Sequence, residues 1–366
     1  MRINRDRRIM HRRRGNAFLA ISAIVVVAAI ALIIISTTYD GTVSKPYASL
    51  LSTATGKQTD KPGTALPNTH TDLRTIEPSP SNAGAQEQPV GPGRAFTGVI
   101  AAQSAVVFDE DGNVLFESNA GNRQYPASTT KVLTALIVLE HGSLDEVVRV
   151  GDEANMPKPG SSIAGLRYGE KLSVSDLLNA LLIPSGNDAA YVLAAYTGRK
   201  AKNSPNMDAQ EAVAAFVELM NEKVRELGAS HSHFTSPDGY HDEEQYTTAM
   251  DMALIAREAL KHKEFRTIVS TETYRLPDVQ AKDKDGNVKK IRRVLKNTNL
   301  LLDPSSPFYL KGCIGIKTGH TSDAGYCLVS AAEQGGESVV AVVMGSTENA
   351  VWTDSSSLLK WGLGDE

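Results

Sequence analysis

Residues 125–140 read YPASTTKVLTALIVLE, and the fold turns on them. Pro126 and Ser128 mark a helix start. The next positions, 132–139, are apolar on nearly every helical face. A helix with no polar side is expected in the centre of a domain. Working outward, four more helices are expected. They are LSVSDLLNALLI (172–183), opened by Ser and stopped by Pro184; NDAAYVLAAY (187–196); the amphipathic DAQEAVAAFVELMNEKVREL (208–227), ended by Gly228; and TAMDMALIAREALK (248–261). Upstream, SAVVFDEDGNVLFES (104–118) is two short apolar runs around a D-G-N turn, a hairpin signal. Downstream come GCIGIKT (312–318), AGYCLVSAAE (324–333) and SVVAVVMGS (338–346), with turns at 320–323 and 335–336 and a last helix near 350–361. Strands at both ends with helices between them predict an α+β domain over 98–366. Its antiparallel sheet draws strands from both ends, and its helices are segregated into a second layer.

The 366 residues are 41% hydrophobic and 22% charged, ordinary values for a globular protein. The net charge of -4 hides an asymmetry: seven Arg and one Asp give residues 1–16 a charge of +6, leaving -10 for the rest. A basic arm on an acidic body suits nucleic acid, but the apolar stretch beside it argues otherwise. Residues 17–36, AFLAISAIVVVAAIALIIIS, carry no charge. As a helix they are about 30 Å long, the thickness of a bilayer core. Arg residues directly before such a span keep the N-terminus in the cytoplasm and send the rest outward. The expected layout is a cytoplasmic basic tail (1–16) and a transmembrane signal anchor (17–36). A disordered linker rich in Pro, Thr, Ser and Gly (37–97) then leads to the folded domain. The body is expected outside the cytoplasm, with no nucleic-acid partner. The two cysteines, Cys313 and Cys327, fall on expected neighbouring strands; they are read as small thiols, with a cross-strand disulfide as the alternative.

Three clusters carry chemistry. In Ser128-Thr129-Thr130-Lys131, positions i and i+3 share a helix face, so the Lys131 amine is expected beside the Ser128 hydroxyl. A serine hydroxyl becomes a useful nucleophile when a base takes its proton. Lysine can be that base if burial or a second cation lowers its pKa. Ser185-Gly186-Asn187 lies in a tight loop between helices; the hydroxyl can pass a proton and the amide can grip a peptide. Its plainer reading is a helix cap. Lys317-Thr318-Gly319 ends a strand, where glycine permits close approach and Lys317 is the expected second cation, attracting an anionic substrate group. A second S-x-x-K, Ser357 to Lys360, has no companion motif and is read as a surface pair.

The motifs occur in the order S-x-x-K, S-x-N, K-T-G, each on the element it needs. With YPASTTK, DLLNALLIPSGNDAA, HFTSPDG, YTTAMDMALIAREAL, KNTNLLL and GIKTGHTSDAGYCLVSAAE, they make residues 98–362 resemble the low-molecular-mass penicillin-binding proteins, serine-type D-Ala-D-Ala carboxypeptidases. The resemblance implies a β-lactamase/transpeptidase-like fold, an antiparallel sheet beside a helical lobe. It implies no cofactor and no metal, a peptidoglycan stem peptide ending in D-Ala-D-Ala as substrate, and β-lactam antibiotics as inhibitors. It assigns Ser128 as nucleophile, Lys131 as general base and Ser185 as proton relay. Asn187 would hold the substrate amide, and Lys317 and Thr318 its carboxylate. Gly319 completes the motif, the N–H groups of Ser128 and His320 form the oxyanion hole, and Thr321 lines the pocket. Many members of that group carry a second β-rich domain and a C-terminal amphipathic helix; the chain ends at Glu366, so anchoring is expected from the N-terminal span.

Other readings carry less. A class A-like β-lactamase needs a glutamate that activates water, usually in an E-x-x-x-N loop; between 187 and 317 only Glu218 and Asn221 come near, in mid-helix and three apart. His231, His233 and His241, near Asp238 and Asp242, could suggest zinc, but no acidic or cysteine ligand stands at recognisable spacing. A non-catalytic cell-wall scaffold would be free to lose Ser128, Lys131 or Lys317, and all three are present. Carboxypeptidase and DD-endopeptidase activity share one chemistry, and the sequence leaves that choice open.

Overall fold

The computed structural model describes residues 95–282 and 288–365. The expected basic tail, membrane span and all but the last three residues of the expected linker lie outside the described residues. Among these, five strands form one antiparallel sheet in the order β2-β1-β9-β8-β7. They are β1 (Ser104–Asp109), β2 (Val114–Ser118), β7 (Cys313–Thr321), β8 (Gly325–Gln334) and β9 (Glu337–Ser346). The two chain ends meet where β1 pairs with β9, from Ser104 opposite Met344 to Asp109 opposite Val339. The sheet therefore closes over a long helical insertion, as the order of elements predicts.

The helices do not form one layer, and that expectation is corrected. Val106, Val329, Val340 and Val342 face α1 (Lys131–His141) and α5 (Ala249–Leu260) in one core. Ala105, Val107, Leu328, Ala341 and Val343 face the opposite way, against Val351, Trp352, Leu358 and Leu359 of α7 (Ala350–Gly362). Strands apolar on both faces must be covered on both, so the sheet lies between helical layers. The helical side also holds α2 (Val174–Leu182), α3 (Asn187–Ala201) and α4 (Ala209–Glu226). A capping box at Ser173 and Asp176 opens α2, and Asp208 caps α4.

Three features were not expected. Strands β3 (Val147–Arg149) and β4 (Lys171–Ser173) pair as a small ribbon, and α6 (Lys263–Val269) comes directly after α5. Strands β5 (Thr273–Lys282) and β6 (Val288–Lys296) form a longer ribbon. In β6 the inward positions include Arg293, whose guanidinium grips the buried Glu170 carboxylate. A cation at an inward position breaks the apolar alternation that announces a strand. The folded body also begins slightly before residue 98: the Phe96 ring packs edge-on against Phe116 at 5.2 Å and Trp361 at 5.7 Å. Cys313 and Cys327 are free thiols on neighbouring strands. Cys313 pairs across from Ala332 while Cys327 faces Gly319, so six residues of β7, roughly 20 Å of strand, separate their levels.

Candidate active site

The expected helix start at Ser128 is a two-part element. Residues Ala127–Thr130 form a 3₁₀ turn, and α1 begins only at Lys131. In a 3₁₀ turn positions i and i+3 eclipse, which stacks Lys131 on Ser128. Lys131 Nζ lies 2.9 Å from Ser128 Oγ and 2.6 Å from the carbonyl oxygen of Asp238. Ala127, just before the serine, has φ 46, a left-handed backbone that costs a non-glycine residue energy. Ser185 carries the same strain at φ 62. Ser185 opens the S-x-N motif and Ala127 directly precedes S-x-x-K; the other described non-glycine residues with positive φ, Asn119 and Asn203, lie outside the motifs.

Burial sets the charge state. Lys131 is fully buried at the start of the apolar helix, and burial lowers its amine to about 8, against the pull of Asp238 and Asp188. Lys317, also buried, is pushed well below the ordinary lysine value by burial first and by the Lys131 charge second. The sequence leads one to expect that two cations stand close enough to disfavour each other's charge, and the two buried amines are coupled in this way. A plain solvated strand-end lysine is excluded by the same burial.

The K-T-G strand runs flush against the nucleophile turn. β7 is the edge strand of the sheet, so alternate backbone groups on its outer side have no ladder partner. A Cβ on Gly319 would stand 3.1 Å from the backbone nitrogens of Ser128 and Thr129 and 3.0 Å from Pro126 O. Only glycine lets strand and turn come this close. The Lys317 ammonium reaches the Thr318 carbonyl at 2.9 Å and its hydroxyl at 3.3 Å. The Thr318 hydroxyl in turn meets Thr298 Oγ1 at 2.6 Å. His320 is exposed, its ring tilted over Tyr326 at 4.1 Å. The Thr321 hydroxyl accepts from Ala324 N at 3.0 Å and holds the β7–β8 turn.

The S-x-N loop forms the facing wall. Ser185 makes no hydrogen bond to a described residue through its side chain, and its hydroxyl is not among the sealed polar atoms. Asn187 Nδ2 donates to Asp238 Oδ2 at 2.7 Å, both residues being buried. Asp188 accepts from the backbone N–H groups of Ala164, Gly165 and Leu166 at 2.8–2.9 Å, and Asn187 N donates to Ser162 O at 2.8 Å. These bonds lash the 162–166 segment to the start of α3.

Thr298, Asp188 and the part Asp238 takes here are invisible along the sequence. Each acts through tertiary contact, and none stands inside a catalytic motif; all three lie in stretches of the resemblance, and the sequence reading otherwise names Asp238 only beside the histidines. The three histidines do not converge. His231 N donates to Asp251, His233 pairs through its backbone with Tyr246, and His241 packs edge-on against Tyr125. Among the described residues no group of three His, Cys, Asp or Glu side chains could hold a metal ion. Glu218 is exposed and paired with Lys202, while Asn221 grips the backbone of Phe234, so neither attends Ser128. Ser357 and Lys360 are both exposed on α7.

A half-buried serine beside a fully buried lysine, with a second buried lysine coupled to the first, defines a serine acyl-transfer enzyme. The family model described as D-alanyl-D-alanine carboxypeptidase matches residues 90–348. The D-alanyl-D-alanine carboxypeptidase of Streptomyces sp. (strain K15) is 36% identical over 259 residues, 69% of this chain and 83% of that one. DacF of Bacillus subtilis (strain 168), of the same description, is 34% identical over 67% of this chain and 58% of its own length. The crystal structure of the Streptomyces K15 DD-transpeptidase superposes with TM-score 0.64 at 33% identity, covering 74% of this chain and 99% of that chain. The chain belongs to the D-alanyl-D-alanine carboxypeptidase family of serine peptidases. It spans most of the Streptomyces relative but about three-fifths of the relatives from B. subtilis and Haemophilus influenzae.

Proposed function

We infer that the chain is a serine D-alanyl-D-alanine carboxypeptidase that removes the terminal D-alanine from peptidoglycan stem peptides. The observation that carries this is the 2.9 Å approach of a fully buried Lys131 amine to the Ser128 hydroxyl. An amine lowered to about 8 is free in a useful fraction of molecules near neutral pH. It takes the Ser128 proton as Oγ attacks the carbonyl between the two D-alanines. The backbone N–H groups of Ser128 and His320 hold the oxyanion, each such donor being worth about 3–4 kcal/mol in the transition state. The tetrahedral intermediate collapses, Ser185 passes a proton to the departing amine, and D-alanine leaves. Water then attacks the acyl-enzyme and frees Ser128.

The substrate carboxylate lies against Lys317 and Thr318. Bringing an anion to a buried lysine restores the charge that burial suppresses, so binding and ionisation support each other. Penicillin enters the same way and acylates Ser128. The body works outside the cytoplasm, held to the bacterial membrane by residues 17–36. Twenty uncharged residues behind seven Arg support this topology. Protease added to wall-stripped cells should degrade the body and spare the 1–16 tail; a protected body would overturn that placement.

Intact mass of the full-length chain after incubation with penicillin tests the chemistry. One adduct, absent in Ser128→Ala, is expected, together with release of D-alanine from a peptide ending in D-Ala-D-Ala. A folded chain that takes no adduct would remove the catalytic reading and favour the scaffold.

A further inference from the structure

Asp238 touches two of the three motifs yet belongs to none. Its carbonyl oxygen accepts from Lys131 Nζ at 2.6 Å, and its carboxylate accepts from Asn187 Nδ2 at 2.7 Å and from Tyr240 N at 3.1 Å. It is fully buried. The loop around it is braced. Thr134 Oγ1 donates to Pro237 O at 2.6 Å, and Gln245 Oε1 collects the N–H groups of Thr235 and Ser236 at 3.1 and 3.0 Å. Gly239 has φ +82, and a Cβ there would stand 1.8 Å from Ala127 O. The loop is thus jammed against the turn that carries the nucleophile.

The Asn187 amide explains why this matters. An amide has a donor end and an acceptor end of nearly equal size, and either can face a neighbour. An ionised carboxylate only accepts, so Asp238 compels the nitrogen of Asn187 to face it. The other end, Asn187 Oδ1, is closed to solvent and has no partner among the described residues, so it meets a ligand only after the wall beside it yields. A buried acceptor left empty calls for a reason, because leaving one unsatisfied costs stability. A donor that arrives only with the substrate supplies that reason.

We propose that Asp238 is a positioning residue, which locks the Asn187 amide in one orientation so that its oxygen is the acceptor for a substrate N–H during acylation. The proposal rests on the carboxypeptidase reading. If the Asp238 carboxylate is removed, the amide is free to turn over and present a donor where an acceptor is needed.

The test is a double-mutant cycle in the full-length chain. Acylation by penicillin and turnover of a peptide ending in D-Ala-D-Ala are followed in the wild type, Asp238→Ala, Asn187→Ala and the double variant. Each single change should slow acylation roughly 10- to 100-fold, the range of one charge-assisted hydrogen bond. Rates are compared on the high-pH plateau, where Lys131 is neutral in every variant and the direct pull of Asp238 on it no longer counts; there the double variant should be no more than about twofold slower than Asn187→Ala, because the carboxylate then acts through that amide. Asp238→Asn, which keeps the volume and one acceptor oxygen, should recover part of the rate; it also serves if the alanine variant does not fold. Effects that multiply, or Asp238→Asn as slow as a fully impaired variant with an unchanged melting temperature, would overturn the proposal. A wild type that acylates while the cycle is additive removes this proposal alone. A folded wild type that does not acylate removes the carboxypeptidase reading and this proposal with it.

Discussion

Lys131 donates to the Ser128 hydroxyl at 2.9 Å from a position with no solvent exposure. The pair is made by a 3₁₀ turn feeding an apolar helix buried from Lys131 to Val138, so local geometry sets the distance and burial sets the basicity. Replacing Lys131 by Ala should leave a folded protein that binds penicillin but acylates about 10²–10⁴ times more slowly, the usual worth of a placed general base. Stopped-flow acylation checks this; a loss below tenfold would remove Lys131 from that role.

The pH profile is set by the same burial. Proton removal needs neutral Lys131, so acylation kcat/KM, which reports the free enzyme, should climb with pH and level off around a midpoint of about 8. At saturation the substrate carboxylate keeps Lys317 charged, and that cation disfavours a proton on Lys131. The midpoint of the single-turnover rate at saturation should therefore fall below that of kcat/KM. A midpoint that rises on saturation would contradict the proposed place of the carboxylate.

Thr298 is 2.6 Å from Thr318 through the two hydroxyls. Thr298→Val keeps the shape and removes that partner. We expect KM for a D-Ala-D-Ala peptide to rise about three- to tenfold with kcat little changed, the pattern of lost uniform binding. The same peptide with its carboxylate amidated should show no further loss. An equal loss for both peptides would detach Thr298 from carboxylate binding.

Gly319→Ala places a methyl 3.1 Å from the backbone nitrogens of Ser128 and Thr129. Either the turn or β7 must shift by some tenths of an ångström. Displacing an oxyanion donor by so little is expected to slow acylation about 10²-fold. The melting temperature should drop by only a few degrees. A full-rate alanine variant would mean that the close approach serves packing alone.

Asp188 gathers three N–H groups of the 162–166 segment. Asp188→Ala should cost about 2–3 kcal/mol, since it strands donors that a charged acceptor held. It should also raise amide exchange at 162–166 before any other segment. The control is on α7: changing both Ser357 and Lys360 to Ala should alter neither acylation nor, beyond about 0.5 kcal/mol, stability, as both are exposed.

The strands of the main sheet, every α-helix but α6, the α+β class and the three motifs were legible along the chain. Each depends on interactions within a few residues: apolar periodicity, caps, turn glycines and the i to i+3 spacing of Ser128 and Lys131. The β5–β6 ribbon escaped because Arg293 sits at an inward position, where the Glu170 carboxylate neutralises it. No local pattern announces that partner, 123 residues away.

What the fold alone decided is how the motifs act on one another. Asp238 reaches Lys131 across 107 residues and Asn187 across 51. Thr298 meets Thr318 only because the chain leaving β6 passes the edge of the sheet. Helices cover both faces of that sheet because its inner strands are apolar on both sides, which the residues state, while which helix covers which face is settled by chain connection. The coupling of the two buried lysines is likewise a tertiary result. Burial depth lowers both amines, Asp238 and Asp188 hold Lys131 up, and the Lys131 charge presses on Lys317; a sequence carries none of these quantities. The sequence by itself determined which residues can do the chemistry; packing determined their charge, orientation and separation, because those depend on neighbours that are distant in the chain.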